Sequence, residues 1–133
     1  AQVAHLCGDL EAEFAVMSPE DAAQFMQDFG FTESGLSRII HRTFDLLGLS
    51  TFFTAGEKET RAWTVPDGAT ALQAAGRIHT DIERGFIRAE VIAWDKLLEL
   101  GSHNEARKAG QLRQEGRTYV VQEGDVINVL FNV

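Results

Sequence analysis

The first fifty residues have the apolar spacing of amphipathic helices. Ser18 can accept a backbone N–H as an N-cap, Pro19 suits the first helical position, and Gly30 suits a left-handed end. Apolar side chains then recur every three or four positions in residues 34–47, which predicts a second helix that ends at Gly48. The members of this apolar stripe are Leu36, Ile39, Ile40, Phe44 and Leu47.

Two shorter segments precede these helices. Residues 9–17 have a weaker helical pattern, and residues 3–6 are short and apolar enough to predict the stub of a strand.

After Leu49 the pattern becomes that of strands. Residues 51–55 are β-branched and aromatic, residues 56–59 form a turn sequence, and residues 60–65 alternate, which together predict a hairpin. Thr70 follows a Pro-Asp-Gly break and is the predicted cap of a helix from residue 71 to about residue 79. Residues 86–94 give the strongest strand pattern in the chain.

The remaining segments are short. Asp95 is the predicted cap of a helical turn that reaches Leu100. Residues 101–110 are polar and loop-like, and a single helical turn within them is the alternative. Three further strands are predicted, at residues 112–113, 117–121 and 125–131, with glycine-containing turns between them.

This order of elements predicts an α+β fold with two parts. A helical segment of residues 1–49 precedes residues 50–133, where a hairpin, one helix and returning strands have the β-grasp (ubiquitin-like) arrangement. The helix would cover one face of the sheet and leave the opposite face open.

Composition and charge restrict the kinds of partner. The chain has 133 residues, of which 44% are hydrophobic and 24% charged, as in folded globular domains. Its apolar runs are about four residues long, too short for a membrane-spanning helix. The net charge is −8, so bulk electrostatics do not attract nucleic acid. Residues 1–50 contain eight acidic and two basic residues, whereas residues 51–133 contain twelve and ten, so a site for a polyanion belongs in the second part.

Common catalytic and metal motifs are missing from the sequence. It has no Gly-Lys dipeptide for a phosphate-binding loop, no Gly-x-Ser-x-Gly and no His-Glu-x-x-His. The single cysteine, Cys7, allows neither an intrachain disulfide nor a four-thiolate zinc site, and a structural role is expected for it. We therefore predict no metal site and no catalytic residue.

His79, Thr80 and Asp81 follow one another at the predicted end of the central helix. They form either a polar cluster that contacts a ligand or a helix cap, in which His79 is favoured by the helix dipole. The spacing favours the helix cap, and contact with a ligand remains the alternative.

Arginines on or beside the strands suggest a phosphate-binding face. Guanidinium groups bind phosphate in a bidentate manner, and Trp63 and Trp94 could provide stacking surfaces. The alternative is that the arginines pair with glutamates across strands and that the tryptophans belong to the core. The arginines are Arg61, Arg77, Arg84, Arg88, Arg113 and Arg117.

Five segments closely resemble the C-terminal part of the YchF-type P-loop NTPases, relatives of the Obg GTPases. They are residues 52–56 (FFTAG), 59–65 (ETRAWTV), 74–81 (AAGRIHTD), 84–91 (RGFIRAEV) and 116–127 (GRTYVVQEGDVI). The resemblance covers essentially the whole chain.

The resemblance implies that residues 50–133 are a TGS domain and that residues 1–49 are the end of the P-loop NTPase domain. It places Cys7, Gly8 and Asp9 at the fifth guanine-nucleotide motif, at the edge of the base pocket, where relatives carry small residues and Asp9 differs from them.

The resemblance also implies partners and cofactors. The parent protein would be a cytoplasmic, translation-associated hydrolase of ATP or GTP with Mg²⁺, whereas this chain alone would hold no cofactor and would not hydrolyse nucleotide, because the phosphate-binding loop is absent. The TGS domain would bind the ribosome or RNA through the six arginines and His79. The alternative function is a module with no nucleic-acid role, which docks on its own NTPase domain or on a protein partner and gates the nucleotide cleft. Self-association through the helical segment is also expected.

Overall fold

The computed structural model describes residues 2–132. It contains two compact units, of which one ends at Leu47 and the other begins at Gly48. The elements are α1 Gly8–Phe14, α2 Pro19–Asp28, α3 Gly35–Leu47, β1 Leu49–Ala55, β2 Thr60–Pro66, α4 Ala71–Ile78, α5 Thr80–Arg84, β3 Phe86–Ala93, α6 Trp94–Leu100, α7 His103–Lys108, β4 Arg113–Glu115 and β5 Asp125–Phe131.

The first unit consists of α1 to α3. The predicted start of α2 is confirmed, since Ser18 Oγ accepts a hydrogen bond of 3.1 Å from the Asp21 amide. Gly30 has the left-handed φ of +72° that was expected after this helix. The predicted strand stub at residues 3–6 is wrong, because these residues lie outside every strand of the described chain.

The second unit is built on one five-stranded mixed sheet. Its strand order is β2-β1-β5-β3-β4, so the predicted hairpin and the strong central strand share a single sheet. The hairpin is antiparallel over seven pairs, from Leu49↔Pro66 to Ala55↔Thr60. β1 is parallel to β5 at Phe53↔Val126, whereas β3 is antiparallel to both β5 and β4.

One face of the sheet packs on α4 and forms the larger core. Thr70 and Gln73 make a reciprocal capping box, which confirms the predicted start of this helix. Fully buried alanines on α4 allow the helix to approach the sheet closely. The buried residues of this core are Phe52, Val65, Ala69, Ala71, Ala74, Ala75, Phe86, Ala89, Val91, Val121 and Ile127.

The opposite face is partly covered by α6 and α7, so the expectation that it is open holds only beyond these helices. Ile92 and Val126 of the sheet are buried with Ala106 of α7. Within residues 101–110 the helical alternative is confirmed and the loop is not: Ser102 caps α7 by accepting a 3.2 Å hydrogen bond from the Glu105 amide.

Two further boundaries differ from the prediction. Within residues 2–132, residues 117–121 contribute only one bridge, Thr70↔Val120, because the backbone hydrogen bonds of this segment join it to the loop before α4 and to the first two residues of that helix. Ala93 rather than Asp95 occupies the N-cap of α6. Trp94 therefore begins a helix and is 51% exposed, which contradicts a place in the core.

None of the helices in residues 2–132 has the length and apolar character that a membrane crossing requires.

Candidate nucleic-acid interface

The arginines on strands do not share one face of the sheet. Arg61 and Trp63 are two residues apart on β2, so their side chains lie on the same face of the sheet, and Trp63 packs in the α4 core. Arg113 pairs with Val91, which belongs to the same core, so Arg113 also lies on this face. Arg88 lies on the same face of β3 as Ile92, which packs beneath α6 and α7. Arg88 thus lies on the opposite face from Arg61 and Arg113.

Arg113 belongs to an internal polar network. Its Nη2 donates to Tyr119 Oη over 3.1 Å, and that hydroxyl donates to Asp125 Oδ2 over 2.7 Å. Burial raises the pKa of Tyr119, and its hydrogen bond to Asp125 raises it further. The network fastens the segment before β5 to the sheet.

Three other predicted arginines have partners within the fold. Arg77 Nε donates to the Thr64 carbonyl over 3.0 Å, and Arg117 Nη2 donates to the Phe86 carbonyl over 3.0 Å. Arg84 Nη2 lies 2.6 Å from an oxygen of Asp81. These contacts give each arginine a structural role, while a role in binding phosphate stays a prediction.

His79 lies at the junction of α4 and α5 and caps both helices. Its Nδ1 accepts a hydrogen bond of 3.1 Å from the Asp81 amide. The helix cap expected from the spacing is therefore present, and contact with a ligand stays a prediction.

Arg61 and Arg88 have no acidic partner: no ion pair within residues 2–132 includes either of them. The Arg61 guanidinium lies 4.3 Å from the centre of the Trp63 ring, a cation–π contact. Arg88 is exposed on β3 and pairs across the sheet with Leu130.

Beside Arg88 lies the buried carboxylate of Glu90. The sequence suggested Glu90 as a partner for a strand arginine but did not predict its burial or its pairing with Arg107. The Glu90 side chain is 7% exposed and accepts hydrogen bonds from Arg107 at 2.9 and 3.0 Å and from Asn128 at 3.0 Å. Burial opposes its charged form, but the hydrogen bonds from Arg107 and Asn128 outweigh burial and lower the pKa of Glu90. The available signal was a glutamate between buried strand residues, but its partner Arg107 lies on α7, in a segment whose packing the sequence did not predict.

We call the open part of this face the β3–β5 surface, defined by Arg88, Arg107, Gln114, Asn128 and Leu130. The strand register places Gln114 and Asn128 on either side of Glu90, and Leu130 beside Arg88. Arg88, Arg107, Gln114 and Asn128 are all exposed. The surface thus combines guanidinium and carboxamide groups with one apolar side chain. Such groups can contact phosphates and base edges.

The predicted nucleotide-edge residues lie in the first unit. Cys7 is the N-cap of α1 and is an exposed free thiol, and Gly8 and Asp9 form the first turn. Cys7 and Leu10 help to line a cavity of about 230 Å³. Within residues 2–132, no three histidine, cysteine, aspartate or glutamate side chains are placed to hold a metal ion. These residues could touch a base but do not fit a magnesium–phosphate group, and their nucleotide role stays a prediction.

Comparisons with known proteins agree on one family. The family model YchF-GTPase_C, whose description reads "Protein of unknown function (DUF933)", matches residues 49–132. The chain is 50% identical over 131 residues to a ribosome-binding ATPase YchF of Escherichia coli O157:H7, covering 98% of this chain and 36% of the relative. It is 49% identical over 133 residues to the protein of the same name from Bacillus subtilis, covering 100% and 36%.

Solved structures agree with the sequence comparisons. The YchF GTPase of Schizosaccharomyces pombe superposes with a TM-score of 0.73 at 33% identity, over 89% of this chain and 31% of that one. A GTP-binding protein of Pyrococcus horikoshii, 20% identical with a TM-score of 0.53, shares the fold over 99% of this chain and 32% of its own. The chain spans about a third of the length of the curated relatives it matches. It belongs to the YchF GTPase C-terminal family.

Proposed function

We propose that the unit from Gly48 onward is a β-grasp TGS module that attaches a YchF-type ATPase to the ribosome. The order β2-β1-β5-β3-β4, with a hairpin followed by one helix packed across the sheet, supports the β-grasp assignment. The observation that carries the function is the match to relatives named ribosome-binding ATPases, which extends over 98% of this chain at 50% identity.

Hydrolysis in this proposal belongs to the whole YchF-type protein, in the cytoplasm. ATP or GTP with Mg²⁺ would be the nucleotide, and Cys7, Gly8 and Asp9 would at most touch its base. The module from Gly48 contributes attachment rather than chemistry.

We place the ribosomal RNA contact on the β3–β5 surface, with Arg88 as its main phosphate ligand. Arg88 is exposed and free of carboxylate partners, whereas Arg84 and Arg113 are already paired. A cation that is not neutralised internally gains more from a phosphate, because no existing ion pair must be broken. Asn128 and Gln114 add hydrogen-bonding groups at the same surface.

Co-sedimentation with purified ribosomes tests this assignment. Arg88→Glu should lower the affinity about tenfold. Loss of one phosphate contact should also reduce the slope of log affinity against log salt by about 0.7 to 0.9. Arg84→Glu is the matched control, since it reverses an exposed arginine that already has an acidic neighbour. An unchanged salt slope in Arg88→Glu would contradict the assignment.

Protein docking is the second candidate, and the exposed stripe of α3 favours it. Leu36 is 63% exposed and Ile40 is 48% exposed, so this helix has apolar area available for a protein surface. The occupant would be the NTPase domain of the same protein or a second copy of the chain. Pull-down from lysate treated with RNase separates the two functions, because contacts bridged by RNA are lost and protein contacts survive.

A further inference from the structure

The strand β2 forms a free edge of the sheet. It is seven residues long and, among residues 2–132, pairs only with β1, so one side of its backbone is available for another strand. Its first three residues are exposed, which leaves this edge accessible from solvent.

A cleft of about 390 Å³ runs beside the second half of this edge, between β2 and α4. Val65 and Ala69 are buried and contribute an apolar floor. Gln73 and Arg77 of α4 form the opposite wall. An added strand would direct every second side chain towards this cleft.

Arg77 contacts the backbone of this strand. Its Nε donates to the Thr64 carbonyl over 3.0 Å. A side-chain donor thus satisfies a main-chain acceptor on the edge strand, and an incoming backbone N–H could replace it. The displaced guanidinium group of Arg77 would still line the cleft, where it could bind an anion.

Charge on this edge favours an acidic occupant. Arg61 and Arg77 lie along it, and neither takes part in an ion pair within residues 2–132. Two acidic residues adjoin the strand. Glu59 lies in the hairpin turn, and Asp67 lines the end of the cleft, where it accepts a hydrogen bond from the Ser50 hydroxyl. The two guanidinium groups are therefore complementary to carboxylates on an added strand.

We propose that β2 binds an extended acidic peptide of a partner protein, which adds to the sheet as a sixth strand. The backbone of the peptide pairs with residues 60–65, since Pro66 has no N–H to donate. On the face towards α4, its apolar side chains enter the cleft and its carboxylates bind Arg61 and Arg77. This site is independent of the β3–β5 surface, because Arg61 and Arg88 lie on opposite faces of the sheet.

The test uses the whole 133-residue chain and a defined probe. The probe is an acetylated and amidated heptapeptide with aspartate, valine, valine and aspartate at its four odd positions, which share one face of a strand, and threonine at its even positions. Its control has lysine in place of aspartate. After titration, amide hydrogen exchange should show protection of the amides of residues 60–65 with the aspartate peptide only. The double variant Arg61→Glu/Arg77→Glu should lose at least about tenfold in affinity for the aspartate peptide and gain affinity for the lysine peptide.

Arg84→Glu, outside the cleft, should bind the aspartate peptide as the unmodified chain does. Circular dichroism shows whether each variant is folded, and the reversed peptide preference cannot arise from an unfolded chain. Failure of both peptides to bind at about 1 mM, or equal binding of both, would overturn the proposal. It would also be overturned if residues 60–65 were protected by a second copy of the chain, or if the double variant lost RNA affinity and kept its peptide affinity.

Discussion

The guanidinium nitrogen Nη2 of Arg107 lies 2.9 Å and 3.0 Å from the two carboxylate oxygens of Glu90 and joins α7 to the middle of β3. Glu90 is buried, whereas Arg107 is 56% exposed. The pair therefore lies where the part of the sheet covered by α6 and α7 meets the exposed β3–β5 surface. Removal of the arginine would leave a buried carboxylate with Asn128 as its remaining side-chain donor.

Arg107→Met should therefore destabilise the chain by roughly 1–3 kcal/mol, because hydrogen bonds to a buried charge are lost while the aliphatic stem is kept. Urea denaturation followed by circular dichroism measures the change. Arg84→Met removes an exposed pair with Asp81 and should cost less than about 1 kcal/mol. Equal losses in the two variants would contradict the importance of the buried pair.

The lowered pKa of Glu90 predicts a pH dependence of stability. Burial opposes its charge, but the hydrogen bonds from Arg107 and Asn128 prevail, so the carboxyl has a lower pKa folded than unfolded. Its contribution is complete above the unfolded value of about 4.3 and is lost as the pH falls through the folded value. The stability difference between the unmodified chain and Glu90→Gln should thus be constant near neutrality and shrink on acidification below that value. A difference that grows towards acid would refute the assignment.

Tyr119→Phe should weaken the attachment of the segment before β5. Its hydroxyl donates to Asp125, a carboxylate that is 4% exposed and also accepts from the Gln122 amide. Loss of one donor to a buried carboxylate should cost about 1–2 kcal/mol in the free energy of unfolding. Faster hydrogen exchange of the Val121 amide, which donates to the Ala69 carbonyl, should accompany it. Unchanged exchange at this amide would show that the hydroxyl does not hold the segment.

Gly85→Ala should destabilise the chain by about 1–3 kcal/mol through crowding. Gly85 has a φ of −89°, which alanine adopts freely, but a Cβ there would overlap the carbonyl group of Asn132. The control is Gly116→Ala, where no atom lies within 4 Å of the added methyl, and stability should change by less than about 0.5 kcal/mol. Thermal unfolding measures the stability of both variants. A lower stability of Gly116→Ala than of Gly85→Ala would contradict this reasoning.

Local signals in the sequence account for the elements that were predicted correctly. Ser18 and Thr70 cap their helices through residues three positions away, so both starts are visible in a short stretch of chain. The hairpin is equally local, because four turn residues separate its two strands.

The elements that the sequence did not predict depend on distant partners. Ala106 of α7 is buried against Ile92 and Val126, and no neighbour in sequence indicates that contact. Residues 117–121 have the alternation of a strand, yet their hydrogen bonds go to residues 69–72, so they do not form a strand.

The candidate site was predicted in part. The sequence identified Arg88 as an arginine on the strong central strand, but it could not show that Arg88 has no acidic partner or that it lies on the opposite face from Arg61 and Arg113. The carboxylate at Glu90 became visible as a site feature only when α7 brought Arg107 to it.

The central claim is that the β3–β5 surface meets ribosomal RNA. Photocrosslinking from Leu130→p-benzoylphenylalanine tests it most directly, because this position lies beside Arg88 and leaves the arginine intact. Glu57→p-benzoylphenylalanine, in the exposed hairpin turn, is the matched control. With purified ribosomes, we expect an RNase-sensitive crosslink from position 130 and none from position 57. Crosslinks from position 57 to RNA, with only protein crosslinks or none from position 130, would contradict the account.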